Sequence, residues 1–325
     1  MTFTAPDEQA VPLDLAGIRR DTLVSRTGVR YFDFKRSLTP RYGRVWFGLL
    51  CGHAALALTT AGMVTAYRDW PFLAAPIIVA GAVTYGYALA FIVLYFHEAA
   101  HFNIARDRAL NDRLANIFIG LFVGQSIGAY RSIHFDHHRY LGMPSDTEHT
   151  YFDPLNATFI AESLTGLKTL KKLTVREHAA GTGVDSLTVL GALLHLAIVA
   201  LALLLGQWPI AVAWTIAVVI VFPFLAAIRQ LLEHRSEQAR PELDYSVVSH
   251  GPVNRMFGSG PLASTFGGAG FNRHMLHHWE PQISCTRLGD LERFLRETPA
   301  AIIVERGTTS YGVTFLRLLG RGRVR

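Results

Sequence analysis

Charge is scarce in this chain. Asp, Glu, Lys and Arg together make up only 17% of its 325 residues, and half of the residues are hydrophobic. A soluble protein of this length is ordinarily more polar and often divides into two domains. Cysteine is nearly missing as well. Cys51 lies inside the first apolar block and Cys285 far away near the C-terminus, which excludes a disulfide framework and a cysteine-based metal site. The first 40 residues contain no apolar core of the kind a secretory signal peptide needs. Internal repeats and low-complexity tracts are also lacking. No cysteine pattern suits an iron–sulfur or rubredoxin-like centre, and no haem-binding domain is expected at either end.

The apolar residues that are present fall into blocks long enough to span a bilayer, which takes about 20 residues of helix. Four such blocks read as transmembrane helices, at about 44–67, 71–96, 184–205 and 208–228. Their short connections, Arg68-Asp69-Trp70 and Gly206-Gln207, pair them as two hairpins. The formal net charge of +6 would suit a nucleic-acid binder, but its distribution does not. The first 44 residues hold eight Lys and Arg, residues 97–183 nine and residues 229–325 thirteen, with only Arg68 elsewhere. This is the positive-inside pattern of a membrane protein. It puts the two short connections outside and both termini in the cytoplasm, with no role for nucleic acid.

The expected fold is therefore all-α and integral to the membrane. A polar cytoplasmic segment, residues 1–40, precedes a single membrane domain over 41–325. A fifth apolar run, Leu114 to Ala129, is short and interrupted by Gly120, Gly124, Gln125, Ser126 and Gly128. It reads as re-entrant or interfacial. The stretch Leu164 to Leu173, with leucines every third residue and lysines between, reads equally as an interfacial amphipathic helix or a solvated helix face.

Eight histidines cluster in three boxes: His97-Glu-Ala-Ala-His101, His134-Phe-Asp-His137-His138 and His274-Met-Leu-His277-His278. Residues i, i+3 and i+4 share a helix face, so each box can aim all its imidazoles at one point. Eight imidazoles are too many for one tetrahedral zinc and suit two metal ions of higher coordination number. The topology puts all three boxes on the cytoplasmic side. The first box also matches the H-E-x-x-H signature of zinc metalloproteases, with Glu98 as general base. That site needs one further ligand and leaves both HxxHH boxes unused.

The three boxes with paired transmembrane helices resemble the membrane fatty acid desaturase superfamily, which includes acyl hydroxylases and carotenoid ketolases and hydroxylases. The resemblance covers roughly residues 40–295. It implies a cytoplasmic histidine-box cap holding two iron ions, with O2 as co-substrate and the eight box histidines as ligands. It adds His234, at the end of the fourth helix, as a ninth. It also implies a membrane lipid or acyl chain as substrate and desaturation as the reaction, with hydroxylation or ketolation of an acyl chain or carotenoid as the alternative. A separate electron donor, a ferredoxin or a cytochrome, is expected. Basic residues such as Arg139, Arg235 and Arg273 are placed to meet such a carrier, lipid phosphates or an acyl carrier's phosphopantetheine. Around the ligands, Glu98 is expected to fix a histidine ring and Gln230 to hold a metal-bound water. Glu233, Asn272, Asp136, Asp146 and Glu148 are further candidates for orienting imidazoles. His53 and His195, alone within the spans, read as neutral, hydrogen-bonded packing residues. His149, His178 and His250 read as exposed.

Overall fold

The computed structural model describes residues 15–165, 167, 185–235, 239, 240, 242, 243, 245 and 253–321. Among these the chain is helical, with two isolated β-bridges and no sheet. Four helices are long and apolar enough to cross a membrane: α1 (Tyr42–Asp69), α2 (Pro71–Ala100), α4 (Ser186–Leu204) and α5 (Trp208–His234). The bilayer-facing residues of α1 and α4 remain bare; Phe47 is 73% exposed and Leu204 85%. Such surfaces are stable only when lipid covers them. Most of the leucine–lysine stretch, together with His178 and His250, lies outside the described residues.

Both hairpin connections lie at one end of the bundle, where the Trp208 indole N–H donates to the Tyr67 hydroxyl at 2.8 Å. At the centre, α2 and α5 approach closely because α2 carries glycine at the contact. A Cβ on Gly86 would lie 2.4 Å from Val221 Cγ1 and 2.5 Å from its Cβ. Val221 ends a π-helical turn, Ala217–Val221, directly ahead of Pro223. Proline cannot donate to the preceding turn, and a π-bulge absorbs the lost hydrogen bond. We expect Gly86→Ala to destabilise the fold by about 1–3 kcal/mol through overpacking. Gly62→Ala, with open space around the added atom, is the control. Thermal unfolding in detergent separates the two; equal melting would remove this contact from the account.

The fifth apolar run forms no helix of membrane-spanning length among the described residues. A short helix, Arg108–Ala115, leads into a π-helical turn, Asn116–Gly120, and one further turn ends at Gly124 in the left-handed conformation (φ 64°). The chain then reverses, and Ser126 caps α3 (Ile127–Tyr140). Backbone carbonyls loosened by this break are met from the membrane helices. His53 Nε2 lies 3.0 Å from Phe118 O, His195 Nε2 3.2 Å from Phe122 O, and Thr188 Oγ1 donates to Gly124 O at 2.7 Å. The Trp214 indole N–H donates to His195 Nδ1, so His195 donates from Nε2. The two lone intramembrane histidines therefore fasten the re-entrant segment.

Beyond the bundle's other end sits a cap. It contains α6 (His274–Trp279) and α7 (Cys285–Arg296), packed with Leu15, Leu23 and Tyr31 from the N-terminal segment in one apolar cluster. Arg20 and Lys35 both pair with the nearly buried Glu280, each at 2.5 Å, and pin that segment to the end of α6.

Candidate metal centre

Nine histidines converge where α2 and α5 end. His97 and His101 close α2, and His234 closes α5. α3 contributes His134, His137 and His138, while α6 contributes His274, His277 and His278. They form two sets: His97, His101, His134, His138 and His277 in one, and His137, His234, His274 and His278 in the other. Within each set the potential ligand nitrogens lie within 4.8 Å of one another.

The boxes do not each aim at one point, as their spacing suggested. In α3, His134 and His138 serve the first set while His137 turns to the second. In α6, His274 and His278 serve the second set while His277 turns to the first. The reason is angular. Residues i and i+4 differ by about 40° around a helix, but i+3 and i+4 differ by about 100°, enough to straddle two centres.

The donor set fits metal ions. Nε2 atoms face one another without a hydrogen-bonding pattern that would explain all of them: His101–His134 2.9 Å, His134–His138 3.0 Å, His138–His277 3.0 Å, His234–His274 2.8 Å, His274–His278 3.1 Å and His137–His234 3.2 Å. Neighbouring donors around one cation with metal–imidazole bonds of ~2.1 Å sit about 3.0 Å apart in an octahedron and about 3.4 Å apart in a tetrahedron. His97 Nε2 is buried with no hydrogen-bond partner among the described residues. Burial also holds imidazoles here in their neutral, ligating form. It lowers His101 to about 3, and pushes His134, His138, His274, His277 and His278 well below the ordinary histidine value, helped in these five by neighbouring imidazoles. At His137 burial pulls the same way, but Glu148 and Asp146 outweigh it and raise the value.

The outer contacts differ in part from expectation. Asp146, buried, accepts from His137 Nδ1 at 2.8 Å and from the Tyr151 hydroxyl at 2.7 Å. A carboxylate only accepts, so the His137 proton sits on Nδ1 and Nε2 faces the cluster. Val253 O does the same for His234 Nδ1, at 3.2 Å. Asp136, by contrast, is 44% exposed at its side chain and pairs with Arg139. Two residues after His134, it lies about 200° round the helix and faces away from the histidine cluster.

Glu98 does not fix a histidine ring. Its carboxylate accepts from Cys285 N at 3.0 Å and Ser284 Oγ at 3.2 Å, at the start of α7. One residue from His97, it is turned about 100° from the side that faces the histidine cluster, which argues against its service as a general base. We expect Glu98→Gln, whose amide oxygen still accepts, to keep the metal content and at least about a tenth of turnover, the loss of one ordinary hydrogen bond. A general base would lose far more, so a near-complete loss with metal retained would contradict this placement.

Gln230 donates to Glu148. Glu233 accepts from the Tyr311 hydroxyl at 2.9 Å and lies 3.6 Å from Arg229. Asn272 donates to Gly258 O at 2.7 Å and shapes the loop entering α6 without meeting an imidazole. One support had no sequence signal. Arg131 donates to the carbonyls of Ala99 and Ala100 while pairing with Asp112 at 2.5 Å, and so secures the end of the first box. Its partners lie 19 to 32 residues away, beyond any helical spacing.

A cavity of about 300 Å³ opens beside both sets. His97, His134, His137, His234 and His274 form one wall, and Val93, Phe96, Phe222 and Ala226 form apolar walls toward the membrane helices. A family model described as fatty acid desaturase matches residues 69–309. No curated protein matches the chain.

Proposed function

The chain belongs to the fatty acid desaturase family, and from that premise we propose that it is an O2-dependent di-iron enzyme that places a double bond in an acyl chain or similar apolar lipid. One observation carries this reading: two sets of histidines share a wall of a cavity whose sides toward the membrane helices are apolar. Pocket walls of this kind suit an alkyl chain. His97, His101, His134, His138 and His277 would hold one ion, and His137, His234, His274 and His278 the other. Two ferrous ions there would supply the power to reduce O2 and remove two hydrogens from an unactivated chain, given two electrons and two protons from outside, with two waters formed.

The protein's part is placement. Val93, Phe96, Phe222 and Ala226 hold the chain and exclude water, while Asp146 and the Val253 carbonyl fix the ring orientation of His137 and His234. The distribution of Lys and Arg supports a centre and termini facing the cytoplasm. Expression in a host of known lipid composition, with lipid analysis by mass spectrometry, tests the reaction. Desaturation yields lipids short of two hydrogens. Products carrying an added oxygen would make the enzyme a hydroxylase or ketolase. Absence of either, with iron bound and reductant present, would defeat the proposal.

A further inference from the structure

The metal-binding sets have a second opening, whose exposed lining is more polar than that of the cavity at the membrane helices. Arg20, His138, Asn254 and His278 line it beside apolar neighbours such as Leu141 and Met275, and it lies under the N-terminal segment. His138 and His278 are the only two of the nine histidines that are not fully buried. Trp279, next in sequence to His278, has its ring 5.2 Å from that of Tyr31, and Tyr31 lies 5.5 Å from Phe32, which is 46% exposed. Two short ring-to-ring steps thus run from the surface to Trp279, which follows His278 in the chain.

The surface around these rings is rich in basic side chains, of which Arg20 and Lys35 are held by Glu280 and Arg41 by Asp290. Residues 15–44 contain eight Lys and Arg but only two acids, Asp21 and Asp33. Their balance of +6 equals the formal charge of the whole chain. The acids pair with Arg19 and Arg36. Arg26 and Arg30 are exposed and have no ion pair among the described residues. Beside them Val24 and Val29 are exposed as well, giving a small apolar spot within a basic surround.

We propose that this N-terminal face, centred on Arg26, Arg30, Phe32 and Arg36, is the docking surface for a small acidic electron-carrier protein. The inference rests on the di-iron reading above. Each turnover needs two electrons that the described chain has no group to store, so a one-electron carrier must dock twice. The apolar cavity belongs to the lipid, which leaves the polar opening as the nearer approach. Redox encounters use small interfaces, and charge complementarity sets their speed and salt dependence. A modest apolar spot within a basic surround has that form.

The test uses the full chain in phosphatidylcholine nanodiscs and an acidic plant-type ferredoxin as probe. Binding of the oxidised ferredoxin is measured against ionic strength, for the native chain and for a variant carrying Arg26→Glu, Arg30→Glu and Arg36→Glu. The native chain should bind more weakly as salt rises. The variant should bind at least about tenfold more weakly, a loss of ~1.4 kcal/mol, with unchanged iron content and melting. Its dithionite-driven turnover should also be unchanged, while the KM for reduced ferredoxin rises. Arg→Gln replacements at the three sites should give a smaller shift in the same direction. Equal ferredoxin binding by native and variant chains overturns the docking surface and leaves the di-iron reading intact. If ferredoxin binding is equal and only activity in discs containing phosphatidylglycerol changes, the surface belongs to lipid headgroups, and the proposal again falls. If the iron-loaded native chain shows no dithionite-driven turnover, the di-iron reading fails first.

Discussion

Alanine at His277 should weaken the hold on the iron of the five-histidine set and reduce turnover to below ~1% of the native level, because two-metal chemistry needs both ions correctly held. His277 belongs to the five-histidine set, and the four histidines of the other set are untouched by its loss. His278→Ala attacks the opposite set, although the two residues are neighbours in sequence. It should likewise cost activity but retain the ion of the five-histidine set. The pair of variants therefore tests how α6 divides its imidazoles. Metal analysis of each purified variant, alongside turnover, is the measurement. Were both variants to keep two irons and most activity, the assignment of α6 to the centre would be wrong. A zinc protease built on the first box, with its one further ligand taken from the same set, predicts little effect from His278→Ala.

Asp146→Asn should weaken metal binding by about 10–100-fold, the usual range for a lost partner behind a ligating histidine. The substitution is nearly isosteric, but an amide is free to present its NH2 group to His137 Nδ1. That favours the tautomer with the proton on Nε2, which cannot ligate. The buried Tyr151 hydroxyl and the Gly142 N–H also depend on Asp146, so part of the effect will appear as lost stability. Titrating iron into the apo variant, with melting followed in parallel, separates the two contributions. Asp136→Asn is the matched control: its side chain faces solvent and should leave metal affinity unaltered. An equal effect at both positions would contradict the distinction between them.

Much of this architecture is legible from local spacing. The four spans announce themselves by length and apolar content, and the structure extends two of them, to Ala100 and His234, until they carry histidines into the cluster. The re-entrant run is legible from its glycines. Gly124 does adopt the left-handed conformation that reverses the chain. His53 and His195 read as packing residues, and both are hydrogen-bonded to that run.

What spacing does not reveal is how helices dock. Whether His137 joins His134 or His234 depends on the rotation of α3 against α5, which no period within α3 encodes. Glu98 meets Cys285 and Ser284 across 187 and 186 residues, so its partner cannot be inferred from its own helix. Asp136 lies inside the second box and Asp146 just beyond it, yet only the one in the following loop folds back on His137. The N-terminal segment reads as polar, but Leu15, Leu23 and Tyr31 are buried against the cap. Three apolar residues spread over 17 positions leave no periodic trace.

The central claim is that this chain holds two irons on nine histidines. Elemental analysis of the purified protein, expressed with iron and zinc both available, addresses it most directly. The account predicts about two irons per chain and no stoichiometric zinc. One zinc per chain without iron would contradict it.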